Sequence, residues 1–154
     1  MTPLSPADAE VALRTFPRRW RELLGGLDQA DPDTEARLQR PGPDGRSALE
    51  CAVAAGAVLG IADDRLRDAL RSERPVLTSS ATTTGGGSLE GALGRIDSTA
   101  PALADTIAGT ASGDLDREAE LDGRTVTVRS LITDTVSEVA GLLRAADEAL
   151  HARS

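Results

Sequence analysis

Residues Ser47 to Leu70 read SALECAVAAGAVLGIADDRLRDAL, and this run decides the fold. Ser47 followed three residues later by Glu50 is a capping box: the hydroxyl takes an N–H of the first turn, and the carboxylate reaches back to the N–H of Ser47. From there a helix is expected to continue to about Leu70 or Arg71. No charge stands between Glu50 and Asp63, and alanine and glycine fill much of that interval. A glycine inside a helix costs about 1 kcal/mol relative to alanine. So little bulk at the centre of a central helix poses the question of what it makes room for.

Composition points to helices packed side by side. Hydrophobic residues make up 40% of the 154-residue chain but aromatics only 1%, Phe16 and Trp20, so the core is built from Leu, Val and Ala. The length fits one domain. Formal net charge is −8 and every one of the 17 basic residues is arginine, so an acidic surface without a basic stripe excludes nucleic acid as a partner. The longest uncharged apolar run, Cys51 to Ala62, is too short to span a bilayer, and Met1 to Ala12 shows no signal peptide. One cysteine excludes an internal disulfide and fits a reducing cytoplasm. Without lysine there is neither a Schiff-base nucleophile nor a phosphate-binding P-loop. The single histidine, His151, near the C-terminus, removes a Ser-His-Asp triad and any multi-histidine zinc site.

Working outward, four helices are expected. The first runs from about Pro6 to Leu27 with Ser5 as its cap and Leu13, Phe16, Trp20, Leu23, Leu24 and Leu27 facing the core; Pro17 predicts a kink or break near Thr15–Phe16. Asp28 to Gly45 reads as an acidic, polar connection, with turn chemistry in PGPDG. DQADPDTE at Asp28–Glu35 lacks the central glycine and ligand spacing of a calcium loop. After the second helix, Thr78–Gly87 is expected to be a mobile loop, while Arg74–Leu77 is expected to be ordered. The third helix spans about Ser88 to Ala111, with Pro101 bending or splitting it. Asp122-Gly123, between alternating residues, predicts a two-residue hairpin whose Leu121, Val126 and Val128 cover the bundle edge. Thr127 is the expected cap of a last helix over about Val128 to Ala149. The fold class is all-α: a four-helix bundle with one small β-hairpin before the last helix.

RRWRELLGGL at Arg18–Leu27, DGRSALECAVAAGAVLGIADDRLRDAL at Asp44–Leu70, RPVL at Arg74–Leu77 and LDGRTVTVRSLITDTVSEV at Leu121–Val139 together resemble actinobacterial DinB-like proteins. That superfamily, also called DinB/YfiT-like, is a four-helix bundle and includes metal-dependent thiol transferases that use mycothiol or bacillithiol. Its members usually hold a divalent metal with three histidines, one on the second helix and an H-x-x-x-H pair on the fourth. Carried onto this chain by the resemblance, those positions are Ala54, Ser137 and Gly141, none of which ligates a metal as histidine does. On this reading Ala54 stands where an imidazole stood, and no metal or other cofactor is expected.

The resemblance places a candidate ligand pocket between the second and fourth helices, drawn from Trp20, Cys51, Ala54, Val58, Thr133, Ser137 and Gly141. Against it stands a bundle that has closed over the lost site, helped by Gly56 and Gly60. Each candidate has two readings. Cys51 is either a reactive thiol or an inert core hydrophobe. The Ser137 and Thr133 hydroxyls face a ligand or bond back to their own helix. Glu138 and Asp134 act as general acid or base, or are solvated surface carboxylates. Trp20 walls the pocket or packs the core, and Arg18, Arg19 and Arg21 form a solvated face or bind an anion.

The function expected is therefore metal-independent binding or transformation of a small, largely apolar organic molecule, in an isomerase, cyclase or former thiol-transferase manner if chemistry occurs. The competing readings are a non-catalytic ligand-binding or resistance protein and a structural module that forms a homodimer through its helices.

Overall fold

The computed structural model describes residues 5–27, 31–43, 45–71, 76–77 and 88–151. The loop expected at Thr78–Gly87 lies outside the described residues, as do Arg74 and Pro75. Among the described residues five α-helices and one hairpin follow in order: α1 (Pro6–Trp20), α2 (Pro32–Gln39), α3 (Ala48–Arg71), α4 (Leu89–Ala108), β1 (Glu118–Leu121), β2 (Arg124–Thr127) and α5 (Val128–Leu150).

The helix starts are those written in the sequence. Ser5 accepts from the Asp8 N–H at 3.1 Å with Pro6 in the first turn of α1. At α3 the capping box closes both ways, Glu50 N–H to the Ser47 hydroxyl at 3.1 Å and Ser47 N–H to the Glu50 carboxylate at 3.3 Å. Ser88 caps α4, and Thr127 with Ser130 forms a second reciprocal box at α5. In the hairpin, Asp122 and Gly123 take φ of 53° and 78°, the left-handed pair that a tight two-residue turn requires. Leu77, the end of the RPVL segment, donates to the Glu120 carbonyl at 2.7 Å and is buried, so this short stretch pairs with β1.

Three expectations need correction. The Asp28–Gly45 connection contains α2: Asp31 caps it by accepting from the Asp33 N–H, Pro32 opens it, and Thr34 and Leu38, one turn apart, are buried. Pro17 does not break α1. It removes only one N–H, and burial of Phe16 and Trp20 on either side holds the helix; the next turn, Arg21–Gly25, is π-helical instead. Pro101 does not split α4, which is continuous to Ala108.

Contacts fix the layout. Arg14 reaches Asp105 and Arg21 reaches Asp97, so α1 and α4 run antiparallel. Gly56 lies against Arg95, Gly60 against Arg95 and Thr99, and Asp63 accepts from Thr106, so α3 and α4 run parallel. Gly42, just before α3, touches Ala149 near the end of α5, while Arg117, next to Val128, bonds the Ala69 carbonyl near the end of α3. Hence α3 and α5 are antiparallel, and α1 and α5 parallel. The most extensive seams are α3–α4, α3–α5 and α1–α4; the α1–α5 seam is the slightest of the four.

The glycines of the central helix are now explained. A Cβ at position 56 would stand 3.2 Å from Arg95 Cγ and Cδ, and one at position 60 would stand 3.7 Å from the guanidinium and from Thr99 Cγ2. They let the Arg95 stem lie flush on α3, on the α4 side. They are therefore not part of a closure over Ala54.

Candidate functional site

The seven sequence-derived pocket residues fall into three environments. Trp20 and Cys51 are fully buried, on α1 and α3. Those helices share no extensive seam and stand across the bundle diagonal. Ala54 and Val58 are half-buried and packed against the core. Thr133 on α5 is 9% exposed, whereas Ser137 and Gly141 belong to the exposed face of the same helix, with open space where a Gly141 Cβ would be. Asp134 and Glu138 share that exposed face. The antiparallel packing of α3 and α5 puts Ala54 and Gly141 on the same half of the bundle, as the resemblance requires.

The donors do not fit a divalent metal. A metal needs several nitrogen, oxygen or sulfur donors converging at about 2 Å. Ala54 offers a methyl group, Gly141 a hydrogen atom, and Ser137 an exposed hydroxyl. Among the described residues no group of three His, Cys, Asp or Glu side chains is placed to hold a metal. Among the same residues no helix is long and apolar enough to cross a membrane.

The polar accounting of the interior singles out two atoms. Four other helix threonines satisfy their hydroxyls: Thr15, Thr99 and Thr135 each donate to the carbonyl four residues back, and Thr106 donates to the Asp63 carboxylate. Thr133 does not. Among the described residues its buried Oγ1 has no hydrogen-bond partner, and neither has the buried indole Nε1 of Trp20. A buried polar atom left without a partner costs about 1–3 kcal/mol, and native interiors rarely tolerate one unless water or a ligand meets it. Both residues belong to the set singled out from the sequence, but the orphaned atoms sit on α1 and α5, the neighbours with the slightest seam.

Further features mark this seam. Trp20 is the last residue of α1 before the π-helical turn, and such turns are frequent at functional sites because they widen the helix locally. Between described residues no hydrogen bond or ion pair joins α1 to α5, whereas α1 is clamped to α4 by Arg14–Asp105 at 2.7 Å and by Arg21–Asp97. These carboxylates hold both guanidiniums above the usual arginine range, chiefly by hydrogen bonding. Arg18 pairs with Glu22, and Arg19 lies 5.9 Å from the centre of the Phe16 ring, so the arginine row of α1 is a solvated face. Helix length and burial were legible in sequence; the missing bond at Thr133 was not, since a threonine hydroxyl chooses its partner only when packing is set.

No protein-family model matches the chain, and no curated protein matches its sequence. Among solved structures it is similar to YfiT from Bacillus subtilis, described as a probable metal-dependent hydrolase with an unusual four-helix bundle topology. The two superpose with a TM-score of 0.72 over 97% of this chain and 89% of that one, at 12% sequence identity. At that identity the likeness establishes the fold alone: this chain has the four-helix-bundle fold of YfiT, with a small hairpin before its last helix.

Proposed function

We propose that this chain is a metal-independent ligand-binding member of the DinB/YfiT-like fold, taking a small, largely apolar organic molecule between α1 and α5. The observation that carries the reading is the pair of orphaned interior atoms, Trp20 Nε1 and Thr133 Oγ1. Support comes from the π-turn beside Trp20 and from the α1–α5 seam being the slightest of the four. Parting that seam breaks fewer contacts than parting any other side of the bundle. The hydrolase description belongs to YfiT; at the three positions where the resemblance places metal ligands, this chain has Ala54, Ser137 and Gly141, and no step is derived through a metal. Asp134 and Glu138 point into solvent and are not placed for acid–base work at the seam, so the reading is binding without chemistry.

The test is a titration of the ¹⁵N-labelled full chain with toluene and with cyclohexanone, two small neutral probes, followed by amide shifts. Saturable shifts concentrated in Pro6–Gly25 and Val128–Val139 are expected. Shifts confined to the outer α3–α5 face around Ala54 and Gly141, or no saturable shift from either probe, would refute the α1–α5 site.

A further inference from the structure

Independently of the α1–α5 reading, we infer a second binding site at the end of the bundle where α2 faces the first turn of α4. Its ligand is a small neutral molecule with an apolar body and a hydroxyl group. A cavity of about 250 Å³ lies there. That is many times the space of one water and just below the usual range of small-molecule sites. It exists because α2 rests on α3 and α5 but forms no extensive seam with α4. Leu38, Leu89 and the half-buried Leu49 make its interior apolar, while the exposed Glu35, Gln39 and Ser88 stand at its mouth.

The polar group that points to a ligand is Thr34. It lines the cavity, is only 5% exposed, and its hydroxyl has no hydrogen-bond partner among the described residues. Its place in the chain is the cause. As the third residue of α2, after the Asp31 cap, it has no helical carbonyl four residues back to accept its proton. A hydroxyl both donates and accepts, so a ligand hydroxyl meets Thr34 in either sense, and the three leucines suit an apolar body. The surroundings disfavour either charge. Glu35 is the one charged side chain of the lining and repels an anion. Ser88 caps α4, and the positive end of that helix repels a cation. The Ser88 oxygen already accepts from the Gly91 N–H at 3.0 Å, which leaves its proton to donate to a neutral oxygen.

Four probes of similar shape test this: benzyl alcohol, toluene, benzylamine, which is protonated at neutral pH, and benzoate. Each is titrated into the labelled full chain, with dissociation constants read from the amides of residues 33–39, 48–51 and 89–93. Benzyl alcohol is expected to bind there about fivefold more tightly than toluene, with neither ion matching it. In Thr34→Val, close in shape to the parent, the alcohol's advantage should shrink to about twofold or less. In Leu49→Trp, whose indole fills the cavity, the shifts should disappear while the α1 and α5 amides keep their folded positions. Equal affinity for alcohol and toluene, or an undiminished advantage in Thr34→Val, would overturn hydroxyl recognition. Tighter binding of the ammonium or of benzoate would overturn neutrality. No saturable shift at these amides from any probe, or shifts that persist in folded Leu49→Trp, would overturn the site. None of these outcomes bears on the α1–α5 reading, which is read from other amides.

Discussion

The two sides of α1 are built by different rules. Toward α4 the helix is fastened by charge: Arg14 to Asp105 and Arg21 to Asp97, exposed pairs that bracket an apolar row. Toward α5 it carries no such fastening between described residues, and the two unsatisfied interior atoms of Trp20 and Thr133 lie on these two helices. The α3–α4 seam resembles the first side, with Arg95 seated over Gly56 and Gly60 and the Asp63–Thr106 bond closing it. With charge pairs across α1–α4, the Asp63–Thr106 bond across α3–α4 and an extensive apolar contact across α3–α5, the slight α1–α5 seam is the weakest side of the bundle.

The largest effect expected from breaking this comparison comes from Trp20→Ala. Removing a fully buried indole should cost about 3–5 kcal/mol in denaturant unfolding; a loss below about 1 kcal/mol would show that Trp20 is not a core residue in solution.

Next in size is a constructed metal site. Wild-type protein offers a methyl, a hydroxyl and a hydrogen at positions 54, 137 and 141, so added zinc should leave its melting temperature unchanged. The combined Ala54→His, Ser137→His and Gly141→His variant should gain about 2.7 kcal/mol at a zinc concentration a hundredfold above its dissociation constant, because only the folded chain binds. A variant that folds and ignores zinc would mean the three positions do not share one face.

Thr133→Val sharpens the contrast from the other side. In ligand-free protein it removes an orphaned hydroxyl, and unfolding should show stabilisation by about 1 kcal/mol. The equivalent change Thr135→Val, whose hydroxyl is bonded to Leu131, should not stabilise. Loss of stability in Thr133→Val would mean the hydroxyl already has a partner.

The smallest effect belongs to the fastened side. Arg21→Ala should lower the melting temperature slightly at low salt, and the difference should vanish near 1 M salt, where the screening length is about 3 Å. Because Asp97 raises the folded-state pKa of Arg21, the contribution that depends on the arginine's charge is fully present below the ordinary arginine value and is lost as pH rises through the raised value. A salt-insensitive loss would argue against a screened surface pair.

Much of this architecture is legible in the chain because its determinants are local. Ser47 and Glu50, Thr127 with the α5 start, and Asp122-Gly123 each act within four residues, and each appears where the residues require. The short α2 was legible too, in Asp31-Pro32 followed by Thr34 and Leu38, but its acidic composition reads as a connection. What the sequence does not carry is the partner of each side chain across the bundle. Gly56 and Gly60 announce close approach, yet only packing shows that Arg95 on α4 fills the groove. Trp20 and Thr133 are recognisable as inward-facing, but that both lack a hydrogen-bond partner depends on rotamers and neighbours set by the whole fold.

The central claim is that the α1–α5 seam holds polar capacity for an occupant. A high-resolution crystal structure of the purified chain soaked in cyclohexanone tests it most directly. The account predicts density for the probe between α1 and α5, with its oxygen within about 3.2 Å of Trp20 Nε1 or Thr133 Oγ1. A dry, closed seam with both atoms satisfied by the protein itself would contradict it.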